Sequence, residues 1–133
     1  MTDQELFEGV CACIRQTLEK DLPDIRESDC LIADLGADSL DFLDLIFRLE
    51  ERFNVRVNPR DLERRTQETL GDTPMIDNER YTAAAVAEFR KAMPEVPENE
   101  LFPEMPVNTL SGSFRVKTFM NLVAYVLEAE KTA

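Results

Sequence analysis

The residues with the clearest potential for chemistry lie in one short run, Asp38-Ser39-Leu40-Asp41. A helix that begins at Ser39 is predicted there, because Asp38 is a good N-cap residue and Asp41 falls in the first turn, where its charge opposes the helix dipole. Unpaired backbone N–H groups at such a helix start would favour a phosphate ester on the Ser39 hydroxyl. The alternative is that Asp38 and Ser39 only cap the helix, which is the commonest use of such residues.

Catalytic arrangements have little support in the sequence. Histidine is absent, no cysteine has a plausible catalytic base, and there is no glycine-rich phosphate loop. The 27 acidic residues therefore fit a solvated acidic face better than a general acid–base pair. Cys11, Cys13 and Cys30 lack a metal-binding spacing, so we expect reduced thiols that are buried or half-buried, and no metal.

Length and charge limit the possible partners. A chain of 133 residues fits one domain with a modest core. Its net charge of −12 argues against nucleic acid or an anionic membrane as the main ligand, because both repel an acidic surface, and it favours basic protein partners. Since we find neither a signal peptide nor a segment apolar enough to span a bilayer, we expect a cytoplasmic protein without membrane insertion.

The elements that must position Ser39 are predicted to be helices, because apolar residues recur at helical spacing and strands have little support. A capping box predicts a first helix from about Asp3 to Lys20. Residues 22–38 should form a loop whose apolar side chains hold it across the helices. The second helix should run from Ser39 to about Phe53 and end at Asn54.

A short third helix is predicted from Asn58-Pro59 to Leu70, with Asn58 as the N-cap and Pro59 at the first helical position. Asn78 is predicted to cap an inserted helix that ends near Met93.

The rest of the chain should contain a loop and a closing helix. Four prolines between Pro94 and Pro106 block helix formation, and the apolar residues among them predict an ordered loop along the surface. The last helix should begin after Ser113 or Thr118 as the N-cap and end near Lys131.

At a 3.6-residue period the second helix has two apolar faces. The predicted core face consists of Phe42, Leu45, Ile46, Leu49 and Phe53. Leu40, Leu43 and Phe47 lie on the opposite side among the carboxylates of Asp44 and Glu51, and such a stripe should contact another molecule. The alternative is that a later segment of the chain covers the stripe as ordinary core.

A longer run around Ser39 resembles the attachment motif of acyl carrier proteins: Asp34-Leu35-Gly36-Ala37-Asp38-Ser39-Leu40-Asp41. The resemblance is close over residues 31–62 and resumes at 118–126, like the family's closing helix. It implies an all-α bundle of long helices I, II and IV with a short helix III. It also implies that a phosphopantetheinyl transferase uses coenzyme A to place 4'-phosphopantetheine on Ser39, beside Asp38 and Leu40. The protein would then be a carrier and no enzyme.

The resemblance further implies that the second helix is a docking surface. In the family, basic patches of partner enzymes meet the carboxylates of this helix while its apolar residues fill small pockets. The matching positions are Leu40, Asp41, Leu43, Asp44, Phe47, Glu50 and Glu51. The implied partners are a phosphopantetheinyl transferase, acyl-ACP ligases or synthases and acyltransferases, and the carrier is expected to be a monomer with an acyl chain.

Two features depart from the family pattern. The first is positive charge along the second and third helices, at Arg48, Arg52, Arg56, Arg60, Arg64 and Arg65. It indicates either surface salt bridges, which contribute little to stability, or a changed set of partners. The second is the length of the segment from about Glu63 to Lys117. We expect a single carrier domain, 1–133, in which this insertion enlarges the acyl cavity, serves a dedicated enzyme or is passive.

The run from Asp38 to Asp44, notably Phe42 and Asp44, is similar to specialised bacterial carriers that deliver very long or hydroxylated acyl chains to lipid A. The resemblance therefore implies delivery of fatty acyl thioesters in lipid A or lipopolysaccharide acylation. Two alternatives stay open: a carrier of polyketide or amino-acid units, and a non-acylated interaction subunit with the same fold.

Overall fold

The structure, a computed structural model, describes residues 1–58 and 60–132. The chain forms two compact units. The first consists of Met1–Val57 together with the chain from Phe114 onward, and the second is Asn58–Ser113. The second unit coincides closely with the predicted insertion at 63–117, and a single carrier domain with an insertion stays a prediction.

The predicted helical fold is confirmed. The α-helices are α1 (Asp3–Leu18), α2 (Ser39–Phe53), α3 (Asp61–Leu70), α4 (Ala83–Ala92) and α5 (Val116–Thr132). Two short 3-10 helices, at Glu98–Glu100 and Val107–Ser113, and the antiparallel strands β1 (Ile76–Asp77) and β2 (Arg80–Tyr81) complete the described elements. This hairpin corrects the expectation that strands have little support in this chain.

The first helix begins where the sequence predicts. The Thr2 hydroxyl accepts a hydrogen bond from the Glu5 N–H at 3.1 Å, and the Glu5 carboxylate accepts one from the Thr2 N–H at 3.4 Å, which completes a capping box. The predicted end near Lys20 is wrong by two residues, because Glu19 adopts a left-handed conformation with φ of 52° and terminates the helix after Leu18.

The loop between α1 and α2 is tied to the start of α5. The Leu31 N–H donates to the Phe114 carbonyl at 3.2 Å, and the Val116 N–H donates to the Asp29 carbonyl at 2.9 Å. Ile25 and Leu31 are buried. The prediction that this loop lies across the helices is therefore confirmed.

The last helix begins at neither predicted position. It starts at Val116, and the Thr118 hydroxyl accepts a hydrogen bond from the Arg115 N–H at 3.0 Å. Thr118 therefore lies inside the first turn and supports the helix start from there, whereas Ser113 belongs to the preceding 3-10 helix.

The core of the first unit includes three aromatic rings. The Phe42 ring lies 5.5 Å from both Phe114 and Phe119, centroid to centroid, in tilted arrangements. Four of the five predicted core residues of α2 are buried and the fifth, Phe53, is half-buried. A Cβ atom on Gly9 of α1 would lie 2.5 Å from Phe53 Cζ, so the absence of a side chain allows α1 and α2 to approach closely.

In the second unit, α3 begins later than predicted. Asn58 is not its N-cap, since the helix starts at Asp61 and the Asn58 side chain accepts from the Arg60 N–H at 2.9 Å in the turn before it. Pro59, predicted at the first helical position, lies outside the described residues. Arg64 and Arg65 both form ion pairs with Asp61, which confirms the salt-bridge interpretation for these two arginines.

The prediction that Asn78 caps a helix is wrong. Asn78 and Glu79 have φ values of 53° and 61° and form the two-residue turn between β1 and β2, where both positions need a positive φ. The helix α4 is capped by Thr82 instead, whose hydroxyl accepts from the Ala85 N–H at 3.3 Å. A hairpin with two residues in each strand is too short to show alternating hydropathy.

The proline-rich loop is ordered, as predicted. The Arg90 guanidinium donates to the Leu101 carbonyl at 2.8 Å and to the Glu98 carbonyl at 3.3 Å. Leu101 and Met105 are buried and anchor the loop in the second unit.

Replacing phenylalanine by alanine should change the free energy of unfolding by very different amounts on the two faces of α2. Phe42→Ala removes a buried ring from the aromatic cluster and should lower the free energy of unfolding by about 3 to 5 kcal/mol. Phe47→Ala, on the exposed face of the same helix, should change it by no more than about 0.5 kcal/mol. Urea denaturation measures both, with Phe42→Leu as a milder core variant. Equal midpoints for the two alanine variants would contradict this core.

Candidate functional site: the start and exposed face of the second helix

The loop before Ser39 is folded by its own backbone. The Asp34 carboxylate accepts from the Cys30 N–H at 2.7 Å, and the Ala37 N–H donates to the Leu31 carbonyl at 3.2 Å. Gly36 has a φ of 80°, a left-handed conformation that glycine adopts without strain. These bonds fix the approach of the chain to α2.

A reciprocal capping box sets the first residue of α2. The Asp38 carboxylate accepts from the Asp41 N–H at 2.9 Å, and the Asp41 carboxylate accepts from the Asp38 N–H at 3.0 Å. The prediction that Asp38 is the N-cap is confirmed. Asp41 does more than complement the dipole, because its carboxylate closes the box.

Ser39 is the first residue of α2 and is exposed. The N–H groups of Ser39 and Leu40 have no acceptor four residues earlier in the helix, and none of the hydrogen bonds found within residues 1–58 and 60–132 uses them. A phosphate ester on the Ser39 hydroxyl would therefore lie at the positive end of the helix dipole, beside two free donors.

The exposed face of α2 carries the apolar stripe that the helical spacing predicts. Leu40 is 75% exposed, Leu43 50% and Phe47 67%. Covering such exposed apolar side chains with another molecule would lower the free energy, because apolar surface would leave water. The spacing of the three residues places them on one side of the helix.

Most carboxylates next to this stripe are bound within the chain. The Arg48 Nε donates to the Asp44 carboxylate at 2.7 Å, and this bond lowers the pKa of Asp44 below its usual value. The Glu50 carboxylate accepts from the Val57 N–H at 3.0 Å. Together with Asp41 in the capping box, three of the four carboxylates predicted for docking have intramolecular partners, and Glu51 is exposed.

Sequence reasoning could have found one of these bonds and not the other. Asp44 and Arg48 are four residues apart on a helix, a spacing at which ion pairs form. The Glu50–Val57 bond depends on the path of the chain after Asn54 ends the helix, and no periodicity encodes that path.

The chain's own thiols are not exposed nucleophiles. Cys11, Cys13 and Cys30 are free and buried, as predicted. Burial raises the pKa of Cys11 to about 11 and also raises that of Cys13. Since a thiolate is the reactive form, these side chains are poor groups on which to form a thioester. Within the described part of the chain, no cluster of acidic, cysteine or histidine residues could hold a metal ion.

Comparison with known proteins shows which protein family has this arrangement. Residues 8–73 match the family described as a phosphopantetheine attachment site. The acyl carrier protein of Thermotoga maritima is 42% identical over 69 residues, which are 52% of this chain and 83% of that protein. The chain belongs to the acyl carrier protein family. No solved structure gives a significant match.

Two further acyl carrier proteins show similar identity. That of Chlamydia caviae is 39% identical over 67 residues, which are 50% of this chain and 84% of the relative. The acyl carrier protein AcpXL of Mesorhizobium japonicum is 42% identical over 62 residues, which are 47% of this chain and 63% of the relative.

Acyl carrier proteins are carriers that act after modification, not enzymes, and the attachment domain holds 4'-phosphopantetheine covalently on a serine. The residues of this structure fit that group, because the start of α2 offers an exposed serine hydroxyl and two free N–H donors for the phosphate. None of the helices in the described residues is both long and apolar enough to cross a membrane.

The buried cysteines lead to a prediction for the unmodified carrier. All three thiols are buried, and at pH 8 the raised pKa of Cys11 and Cys13 leaves these two with even less thiolate than an ordinary cysteine has. Iodoacetamide should therefore add nothing to the folded protein over a time that fully labels glutathione. The same treatment in denaturant should add three groups, one for each cysteine. Intact mass measures both, and rapid labelling of Cys11 or Cys13 in the folded protein would contradict the assignment.

Proposed function

We propose that Ser39 is the serine that carries the phosphopantetheine arm. Residues 8–73, which match the attachment family, contain two serines, Ser28 and Ser39. The observation that supports Ser39 is its place as the first residue of a capped 15-residue helix, with an exposed hydroxyl. Ser28 lies in a turn before Cys30 and is not itself the first residue of a helix.

The residues around Ser39 have separate tasks in this proposal. The bound arm supplies the thiol that forms the acyl thioester. The Asp38 carboxylate is directed to the Asp41 N–H, which leaves the N–H groups of Ser39 and Leu40 for the phosphate. Because the capping box fixes where α2 begins, it also fixes the position of the hydroxyl that a phosphopantetheinyl transferase must reach.

We propose that the exposed stripe of α2 is where partner enzymes dock. Its core is Leu40, Leu43 and Phe47, which would enter apolar pockets of a partner. The flanking acidic residues proposed to take part are Asp41, Asp44, Glu50 and Glu51. The expected partners are the transferase, acyl-ACP ligases or synthases, and acyltransferases.

The proposed cargo is a fatty acyl chain in a specialised pathway such as lipid A or lipopolysaccharide acylation. The resemblance of the run from Asp38 to Asp44 to specialised carriers supports it, as does the match to AcpXL. We further propose that residues 1–133 form one carrier domain in which the second unit, Asn58–Ser113, is the insertion, and that the protein acts as a monomer in the cytoplasm.

Two matched serine variants test the attachment site. Incubation with coenzyme A and a broad-specificity phosphopantetheinyl transferase should add one arm to the folded wild type and to Ser28→Ala, because both proteins keep the Ser39 hydroxyl at the start of α2. Ser39→Ala should gain none, since it lacks the hydroxyl that forms the ester. Intact mass reads the result.

Circular dichroism of Ser39→Ala provides the control that the fold is kept. An arm on Ser39→Ala, or none on the wild type while a standard carrier is modified, would refute the assignment. Full cellular function of an unmodified Ser39→Ala protein would instead favour the non-acylated interaction subunit.

The acyl group bound in the host tests the pathway. Carrier purified from its native cells without reducing agent should yield a very long or hydroxylated fatty acyl thioester, released by mild hydroxylamine and identified by mass spectrometry. Amino-acid or polyketide units on the arm would contradict the fatty acyl proposal, and ordinary medium-length chains alone would contradict its lipid A part.

A further inference from the structure

A lysine side chain lies against the loop that leads into Ser39. Glu19 adopts a left-handed conformation that ends α1 after Leu18, and Lys20 is the next residue. A Cβ atom placed on Gly36 would lie 3.6 Å from the Lys20 Nζ, so the ammonium group is within contact distance of the backbone three residues before Ser39. The Lys20 cation is thereby placed beside the chain that enters α2.

The Lys20 ammonium group has no partner among the side chains described in residues 1–58 and 60–132, where none of the ion pairs or hydrogen bonds involves it. The dipole of α1 favours a cation after its last turn, but that effect does not require the side chain to lie on Gly36. Lys20 and Arg26 are the only basic residues from position 20 to position 47. The charge of Lys20 is therefore available to a ligand at this loop.

A phosphate on Ser39 would be stabilised by such a charge. The carboxylates of Asp34, Asp38 and Asp41 belong to the loop and the first turn of α2, and their hydrogen bonds to backbone N–H groups leave them charged. They would repel the negative charge of a phosphodiester. The dipole of α2 supplies only about half a positive unit charge, so a full positive charge nearby would offset more of this repulsion.

The distance between Lys20 and the proposed attachment site permits this interaction. The three residues from Gly36 to Ser39 span at most about 11 Å even when fully extended. The lysine side chain is a flexible stem of methylene groups, so rotamer changes can bring its ammonium group closer to a phosphate on Ser39. Two charges within about 10 Å of each other are only partly screened at about 0.1 M salt.

We propose that Lys20 binds the phosphate of the phosphopantetheine arm, and that its ammonium group completes the phosphate site formed by the N–H groups of Ser39 and Leu40. This inference rests on the proposed function, since it takes Ser39 to be the modified serine. The ligand is a phosphodiester, which offers negative charge and acceptor oxygens to the N–H donors of an ammonium group. The contact restrains the phosphate end of the arm and leaves its thiol end free to move between partners.

A thermodynamic cycle tests this contact without relying on activity. Apo and modified forms of the wild type, Lys20→Ala and Lys20→Arg are unfolded in urea at about 0.1 M salt, after intact mass has shown one arm on each modified protein. The change in midpoint on modification should be about 0.3 M more favourable in the wild type than in Lys20→Ala, because only the wild type gains the contact. Lys20→Arg should keep the wild-type change, since it keeps the charge. The difference should disappear at about 1 M salt, where screening is strong.

The matched control is Lys117→Ala, which removes the same type of side chain and the same charge from the first unit. The Lys117 Nζ lies 3.6 Å from the Glu27 carboxylate and lines the same cavity as Asp3, at the end of α1 opposite to Lys20. The 16 residues of α1 span about 24 Å. The change in midpoint on modification should therefore equal that of the wild type, even if both of its forms are less stable.

Phosphorus NMR of the modified proteins provides a second readout. The phosphodiester line should be broader in the wild type than in Lys20→Ala, because a phosphate held by the ammonium group moves less. Equal midpoint changes or equal linewidths for these two proteins would overturn the inference, and so would an equal loss in Lys117→Ala. If no protein gains an arm while a standard carrier does, the proposed function itself fails and the inference fails with it.

Discussion

The site depends on the capping box between Asp38 and Asp41. Two hydrogen bonds of 2.9 and 3.0 Å decide that α2 begins at Ser39 and not a residue earlier or later. If the helix began one residue earlier or later, its faces would be rotated by about 100°. Ser39 and the apolar stripe would then point in a different direction relative to the core of the first unit. The same box leaves the N–H groups of Ser39 and Leu40 free, so one local interaction sets both the position of the hydroxyl and the environment of a phosphate.

From that start, α2 has to serve two surfaces at once. Phe42 and its neighbours fill the core of the first unit against Phe114 and Phe119, while Leu40, Leu43 and Phe47 are exposed. The carboxylates between these faces are largely used inside the chain, by the capping box, by Arg48 and by the Val57 N–H. These bonds hold the carboxylates in position, and Arg48 offsets the charge of Asp44, in a chain whose net charge is −12.

The sequence predicts the site better than the rest of the chain, for physical reasons. Ser39, its cap and the faces of α2 follow from local rules, since caps act over three residues and helix faces repeat every 3.6. Asn78 shows where local rules are insufficient, because asparagine suits both a helix N-cap and a turn with positive φ. The pairing of Ile76 with Tyr81 places it in the turn. The start of α5 likewise depends on hydrogen bonds from a loop about 85 residues earlier, beyond the reach of any local pattern.

The central claim is that the arm is attached at the start of α2. Carrier isolated from its native cells can be digested, and the peptides fragmented to locate the residue that bears phosphopantetheine. We expect the modification on the peptide that contains Asp38-Ser39-Leu40, with fragments that assign it to Ser39. A modification on Ser28, or a native protein that carries no phosphopantetheine, would contradict it.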